Sequence, residues 1–200
     1  WLPKVDIANY DIIIDATASA SVFRLVDKIS LGTSIPIVHF ALSDAGNVGH
    51  VYVNTSRESI LSDYYMYLAH KSIDNDDISN WLKRNTKYSL DIVRIGEGCH
   101  SNTMRLGDEI VSTHTGIAAS VIKGVLSKKC ENTAFLSYVN IEYEGQVFTE
   151  SYRIPTFINL KCSNDNEWQV RIPKTLLKEM QLESKLAERK EVGGYLMGNI

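Results

Sequence analysis

Apolar and polar positions change their spacing repeatedly along this chain, and each change predicts an element. Residues 10–15, Tyr-Asp-Ile-Ile-Ile-Asp, form a short apolar run that ends in a carboxylate. Consecutive β-branched residues predict a strand buried on both faces, as in a parallel sheet. Over residues 19–31 the apolar positions Val22, Leu25, Val26 and Ile29 recur at helical spacing and define one buried stripe. Residues 36–42, Pro-Ile-Val-His-Phe-Ala-Leu, return to a strand. Strand, helix and strand with short connections predict a parallel, right-handed βαβ unit. An alternating run at Val48–Val53, beside Asn47 and Gly49, is expected to turn back on the second strand.

The middle of the chain reads as helical. Ser59–His70 and Asp76–Arg84 have helix-like apolar spacing, and the acids Asp74 to Asp77 favour a helix start through capping and the macrodipole. Residues 96–107 carry no periodicity and read as a loop. A long helix is expected over Asp108–Lys128, with Ile110, Ile117, Val121 and Val125 as its stripe. From Asn132 to Leu160 the pattern changes to alternation, with Glu144-Gly145 as a hairpin turn. Residues 163–167, Ser-Asn-Asp-Asn-Glu, are the most loop-like run and mark the expected domain boundary. A strand at Trp168–Ile172 and an amphipathic helix from Pro173, carrying Leu176, Leu177, Met180 and Leu186, close the pattern.

Composition narrows the class. The chain has 200 residues, 44% of them hydrophobic, and a net charge of −3, which suits an ordinary globular domain plus part of another. Mild acidity argues against a general nucleic-acid binder. No apolar run approaches the roughly 18 residues of a membrane span, and Lys4, Asp6 and Asn9 interrupt any signal-peptide core. Cys99, Cys130 and Cys162 are odd in number and widely spaced, so they form neither a disulfide framework nor a zinc knuckle. A reducing, cytoplasmic setting is expected. The five histidines show no metal-ligand spacing, so no metal ligand is assigned within the chain, and His39 on its apolar strand is expected to be a hydrogen-bonded core residue. Tyr64, Tyr65 and Tyr67 read as helix surface or core.

Three side chains are candidates for chemistry. Asp15 stands at the carboxyl end of a parallel strand, where open α/β sheets place ligands, although such an acid also serves simply to cap the next helix. Cys99 lies between glycine and His100 ahead of the long helix, with Arg105 near. That setting lowers a thiol pKa and suits a nucleophile, or it is a small packed residue. Glu191 follows a helix and precedes Gly193-Gly194, either as a solvated acid before a turn or as a general base.

Longer motifs carry a resemblance. Asp-Ile-Ile-Ile-Asp-Ala-Thr-Ala-Ser at 11–19, then Arg24 and Ile-Pro-Ile-Val-His-Phe-Ala-Leu, resemble the second half of the ThiF/MoeB adenylyltransferases, relatives of ubiquitin-activating enzymes. The likeness covers about residues 5–55 and extends more loosely to 162. It implies that Asp15 coordinates the magnesium of ATP during adenylation of a ubiquitin-like C-terminal glycine. Gly98-Cys99-His100-Ser101-Asn102-Thr103 is similar to the thioester-cysteine motif of two-function members, which implies that Cys99 accepts the modifier. The family's usual Asp-Asn pair is replaced by Ala18 and Ser19, and its phosphate loop would precede Trp1. Glu191-Val-Gly-Gly-Tyr-Leu-Met-Gly198 after a helix resembles the opening of JAMM/MPN (JAB-type) isopeptidases, in which Glu191 would act on zinc-bound water. The zinc ligands of that family would follow Ile200.

The resulting expectation is an α/β chain excised from a longer bacterial protein. Residues 1–163 would be the C-terminal part of a Rossmann-like ThiF domain, and 164–200 the first strand and helix of an MPN domain. The implied cofactors are ATP, magnesium and zinc. The implied partners are a ubiquitin-like modifier, a conjugating enzyme and a second copy of the chain, with no nucleic acid beyond ATP and no membrane. Two rival expectations are a non-catalytic scaffold that binds the modifier, and half of a Rossmann-type oxidoreductase.

Overall fold

The computed structural model describes residues 7–17, 19–73, 75–76, 78–79, 92–93, 103–104, 106–127, 132–140, 146–161 and 169–187. The chain divides into two compact units, Trp1–Ile154 and Pro155–Ile200.

In the first unit the expected βαβ element is present. Strand β1 (Ile13–Asp15) leads into helix α1 (Ala20–Ser30) and then strand β2 (Ile37–Ser43), and β1 pairs with β2 in parallel. Ser19 caps α1, its Oγ accepting from Val22 N–H at 3.5 Å. Strand β3 (Val48–Asn54) returns antiparallel to β2 after a short 3-10 turn at Asp44–Gly46, where Gly46 takes φ 90°. Helix α2 (Leu61–Lys71) starts where Asp63 accepts from Ile60 N–H at 2.9 Å. The carboxylate of Asp27, from α1, also receives Ser62 N–H and Ser62 Oγ–H at 2.9 and 2.8 Å. One helix thus supplies the missing acceptor for the start of the next.

Residues 76, 78 and 79 of the expected Asp76–Arg84 helix are helical, and the remainder lies outside the described residues. Two-residue strands β4 (Ile92–Val93) and β5 (Thr103–Met104) pair antiparallel. The absence of periodicity over 96–107 predicts a loop, and β5 departs from that because a two-residue strand leaves no periodicity to read. Helix α3 (Asp108–Leu126) follows. Strands β6 (Thr133–Asn140) and β7 (Gln146–Arg153) then pair antiparallel, as alternation predicts, and the expected turn at Glu144-Gly145 lies outside the described residues.

The main sheet has the order β1-β2-β3-β6-β7. Its faces differ in chemistry. Val38, Val51 and Val53 meet Ala118, Val121 and Val125 of α3 in an aliphatic core, with Phe40, Ile122 and Phe135 packed against it. By the period-2 rule, Ile37, His39, His50 and Tyr52 point to the other face. Strand β1 is less covered than a two-face burial predicts, since Ile14 is 49% exposed. It ends the sheet order, so only β2 flanks it among the described strands.

The second unit pairs strand β8 (Phe157–Lys161) antiparallel with strand β9 (Gln169–Pro173), which runs directly into helix α4 (Lys174–Leu186). Phe157 and Ile172 are its buried apolar side chains among those described. The division between units falls ahead of 163–167, because β8 and β9 pair across that run. The helix expected from Pro173 is present, but Met180, Leu182 and Leu186 are exposed and only Leu176 and Leu177 are half-buried. No helix among the described residues is long and apolar enough to cross a membrane.

Candidate functional site

Asp15 ends β1 directly beside His39 of β2, its register partner. Asp15 Oδ1 accepts from Thr17 N–H at 3.1 Å and from Thr17 Oγ1–H at 2.8 Å, and Oδ2 lies 3.1 Å from His39 Nδ1. The other imidazole nitrogen, Nε2, is 2.9 Å from Tyr65 Oη on α2. Asp15 and His39 are buried, at 2% and 4% exposure, whereas Tyr65 is 39% exposed. Phe23 of α1 sets its ring edge-on to both His39 and Tyr65, with centroids 5.7 and 5.5 Å away. Strands β1 and β2 and helix α2 therefore build one hydrogen-bonded chain from a buried carboxylate to Tyr65, with α1 packed against it through Phe23.

The proton positions follow from the charges. Burial pushes the Asp15 pKa up, but its two bonds from Thr17 and its pairing with His39 outweigh burial and hold it below the ordinary value. An ionised carboxylate only accepts, so His39 Nδ1 carries the hydrogen. Burial holds the His39 pKa below its ordinary value more strongly than Asp15 raises it, so the ring is neutral near pH 7 and Nε2 accepts from Tyr65. Tyr65 keeps its proton, its pKa pushed up to about 12 by burial first and by the Asp15 charge second.

The same sheet face holds a second imidazole. His50, at 1% exposure, places Nδ1 2.6 Å from Tyr64 Oη and Nε2 3.0 Å from Ser43 Oγ. Burial, then the fields of His39 and His114, push its pKa down to about 3. Tyr64 stacks on Tyr52 at 5.1 Å. On the opposite face His114 of α3 reaches Gly46 O at 2.8 Å through Nε2 and Ser137 Oγ at 2.7 Å through Nδ1. A carbonyl only accepts, so Nε2 bears the hydrogen and Nδ1 takes the Ser137 proton. Burial lowers the His114 pKa more than the Gly46 bond raises it.

Of the residues singled out from sequence, Asp15 is described and stands at the strand end expected of it. Cys99 and Glu191 lie outside the described residues, as do Cys130 and Cys162. A carboxylate has about four lone-pair positions, and Asp15 uses three of them on Thr17 and His39. Magnesium demands roughly six oxygens in an octahedron, and Asp15 is only 2% exposed. As they stand these residues do not fit that ion, which would have to displace His39. Among the described residues no three His, Cys, Asp or Glu side chains gather as metal ligands would.

The parts played by His39 and Tyr65 are not evident from spacing. One signal was available: β1 and β2 both run apolar, apolar, polar, as Ile13-Ile14-Asp15 and Ile37-Val38-His39. Aligning the apolar pairs in a parallel ladder brings the two polar ends together. Comparison with protein-family models and with curated proteins gives no match for this chain.

Proposed function

We propose that this chain carries the second half of a ThiF-like activating module, joined to the opening of a JAMM-type isopeptidase. The module would adenylate the C-terminus of a ubiquitin-like modifier, with Cys99 taking the modifier as a thioester and Glu191 serving its removal. The observation that carries the reading is the place of Asp15. It is a carboxylate held ionised at the carboxyl end of a parallel strand pair, ahead of a capped helix, where open α/β sheets bind ligands. The separate compactness of Pro155–Ile200 supports a second module. ATP, magnesium and zinc are the cofactors that go with this reading, magnesium only once Asp15 is released from His39, and a cytoplasmic setting suits it.

The test is modifier-dependent exchange of pyrophosphate into ATP, by a polypeptide that also carries the phosphate-loop and zinc-ligand segments. Exchange is expected, and its absence with every ubiquitin-like protein tried would defeat the reading. Cys99→Ala should keep exchange while losing a reductant-sensitive conjugate. Glu191→Gln should cut isopeptide cleavage at least about 10²-fold, the low end of general-base contributions.

A second reading, a scaffold that binds the modifier without chemistry, is favoured by one arrangement. Asp15 is committed to Thr17 and His39, and Ser19, standing where the family has asparagine, is occupied with capping α1. Modifier binding without exchange is its signature.

A further inference from the structure

The Asp15–His39–Tyr65 chain has an order of parts that the adenylation reading does not use. A buried ionised acid fixes one imidazole nitrogen. The other nitrogen, with its lone pair bare of hydrogen, receives the hydroxyl of a side chain that reaches solvent. An acid orienting a base, and a base bonded to a hydroxyl, is the arrangement that activates an otherwise weak oxygen nucleophile. Thr17 holds the acid from its far side, at 2.8 and 3.1 Å, and Phe23 braces both rings. The histidine therefore has little freedom to turn away from Tyr65. Asp15 and His39 are buried and Tyr65 is 39% exposed as a residue, so Tyr65 is the member of the chain nearest to solvent.

We propose that Tyr65 is a nucleophile toward activated acyl groups, with His39 as its general base and Asp15 as the residue that positions His39. In the step, the Tyr65 Oη–carbon bond forms as the phenolic proton passes to His39 Nε2. The bond from the acyl carbon to its leaving group then breaks, and the leaving group departs with that proton. The tyrosine becomes an aryl ester and the imidazole returns to its neutral form. Asp15 faces the imidazolium that exists between the two events. This inference shares Asp15 with the adenylation reading, but it needs neither ATP, magnesium nor the modifier.

The experiment uses the chain as it is, with an activated acyl ester such as an N-hydroxysuccinimide acetate as the probe. Acetylation of each of the ten tyrosines is followed by peptide mass spectrometry at neutral pH. Tyr10, at 55% exposure, is the internal reference. Tyr65 is expected to acetylate at least about tenfold faster than Tyr10, a modest fraction of a general-base effect. His39→Gln should remove that advantage. Since His39→Gln alters a buried position, Asp15→Asn is the second variant. Its amide keeps an oxygen for Thr17, while its N–H donates to His39 Nδ1, forcing the hydrogen onto Nε2 and leaving no base for Tyr65. A folded Asp15→Asn protein whose Tyr65 reacts like Tyr10 supports the relay. A Tyr65 that reacts no faster than Tyr10 in the unaltered chain would overturn it, as would an advantage that survives in Asp15→Asn. Either result would make this chain a packing device that seats α2 on the sheet. Neither bears on pyrophosphate exchange, so the two proposals fail separately.

Discussion

Lowering the pH from 7.5 to 5 should destabilise the first unit, and His50 sets a large share of the loss. In the folded chain this imidazole is 1% exposed and its pKa is pushed down to about 3, from an ordinary value of 6.5. Once unfolded it binds a proton near pH 6.5. Between those values the unfolded state holds one more proton than the folded state, so stability rises with pH and falls on acidification. The contribution is fully present above pH 6.5 and is lost as pH drops toward about 3. Proton linkage for one such group, RT ln(1 + 10^(6.5 − pH)), amounts to about 2 kcal/mol at pH 5 and is negligible at pH 7.5. His39 and His114 have pKa values displaced in the same direction, so they steepen the same trend. Asp15 acts elsewhere: its lowered pKa gives stability that is present above the ordinary value of 3.8 and lost only below it.

The measurement is urea unfolding of the unaltered chain and of His50→Gln at pH 7.5 and pH 5, each followed by two spectroscopic probes. Glutamine offers a donor and an acceptor to Tyr64 and Ser43 but does not titrate. The variant is expected to be the less stable protein at pH 7.5. The gap between the two proteins should then shrink by about 2 kcal/mol at pH 5. A gap that stays constant to within about 0.5 kcal/mol would refute the claim that His50 folds in its neutral form.

Other substitutions test the packing that positions the site. Gly49→Ala would place a Cβ 2.3 Å from His114 Nδ1 and 2.6 Å from Ser137 Oγ, so a loss of at least about 1–3 kcal/mol is expected on thermal unfolding; an unchanged melting temperature would contradict that contact. Asp27→Ala removes the acceptor for Ser62 N–H and Oγ–H and should cost about 1–2 kcal/mol, with a loss below about 0.3 kcal/mol counting against it. Leu68→Ala, at 1% exposure, should cost about 2–5 kcal/mol, whereas Leu186→Ala, at 74% exposure, should change stability little; equal effects would contradict the burial assigned to α2 and α4.

The parts of this fold that show in the sequence are those fixed by spacing along the chain. Helix α3 begins at the expected Asp108 and stops at Leu126, two positions short of Lys128. Its aliphatic stripe is read correctly at Ile110, Val121 and Val125, which are buried. His114 lies on that same stripe and escapes notice, because a search for apolar periodicity passes over a polar side chain. Its burial depends on a glycine in β3 and a serine in β6, and no local pattern announces those partners. The exposure of Ile14 is hidden for the same reason, since the place of a strand in the sheet order is not written in the strand. The unit boundary follows pairing as well. Residues 163–167 are loop-like in composition, yet β8 and β9 join across them and move the division to Ile154.

The candidate site is one step further from local pattern, although its origin is still physical. Side chains alternate strictly along a strand, so a one-residue slip between β1 and β2 would send Asp15 and His39 to opposite faces of the sheet. The apolar pairs Ile13-Ile14 and Ile37-Val38 oppose that slip, because Ile37 and Val38 are fully buried and a shifted β1 would set Asp15 against Val38. The register that satisfies the core is therefore the register that sets carboxylate beside imidazole. Tyr65 arrives independently, through α2, whose start is fixed on α1 by Asp27 and Ser62. Two restraints separate in sequence thus converge on His39, one through strand register and one through a helix cap. Loosening the cap should draw Tyr65 away from the imidazole while leaving the Asp15–His39 pair in place. Asp27→Ala is accordingly expected to lower the acetylation advantage of Tyr65 without altering the bonds from Thr17 to Asp15.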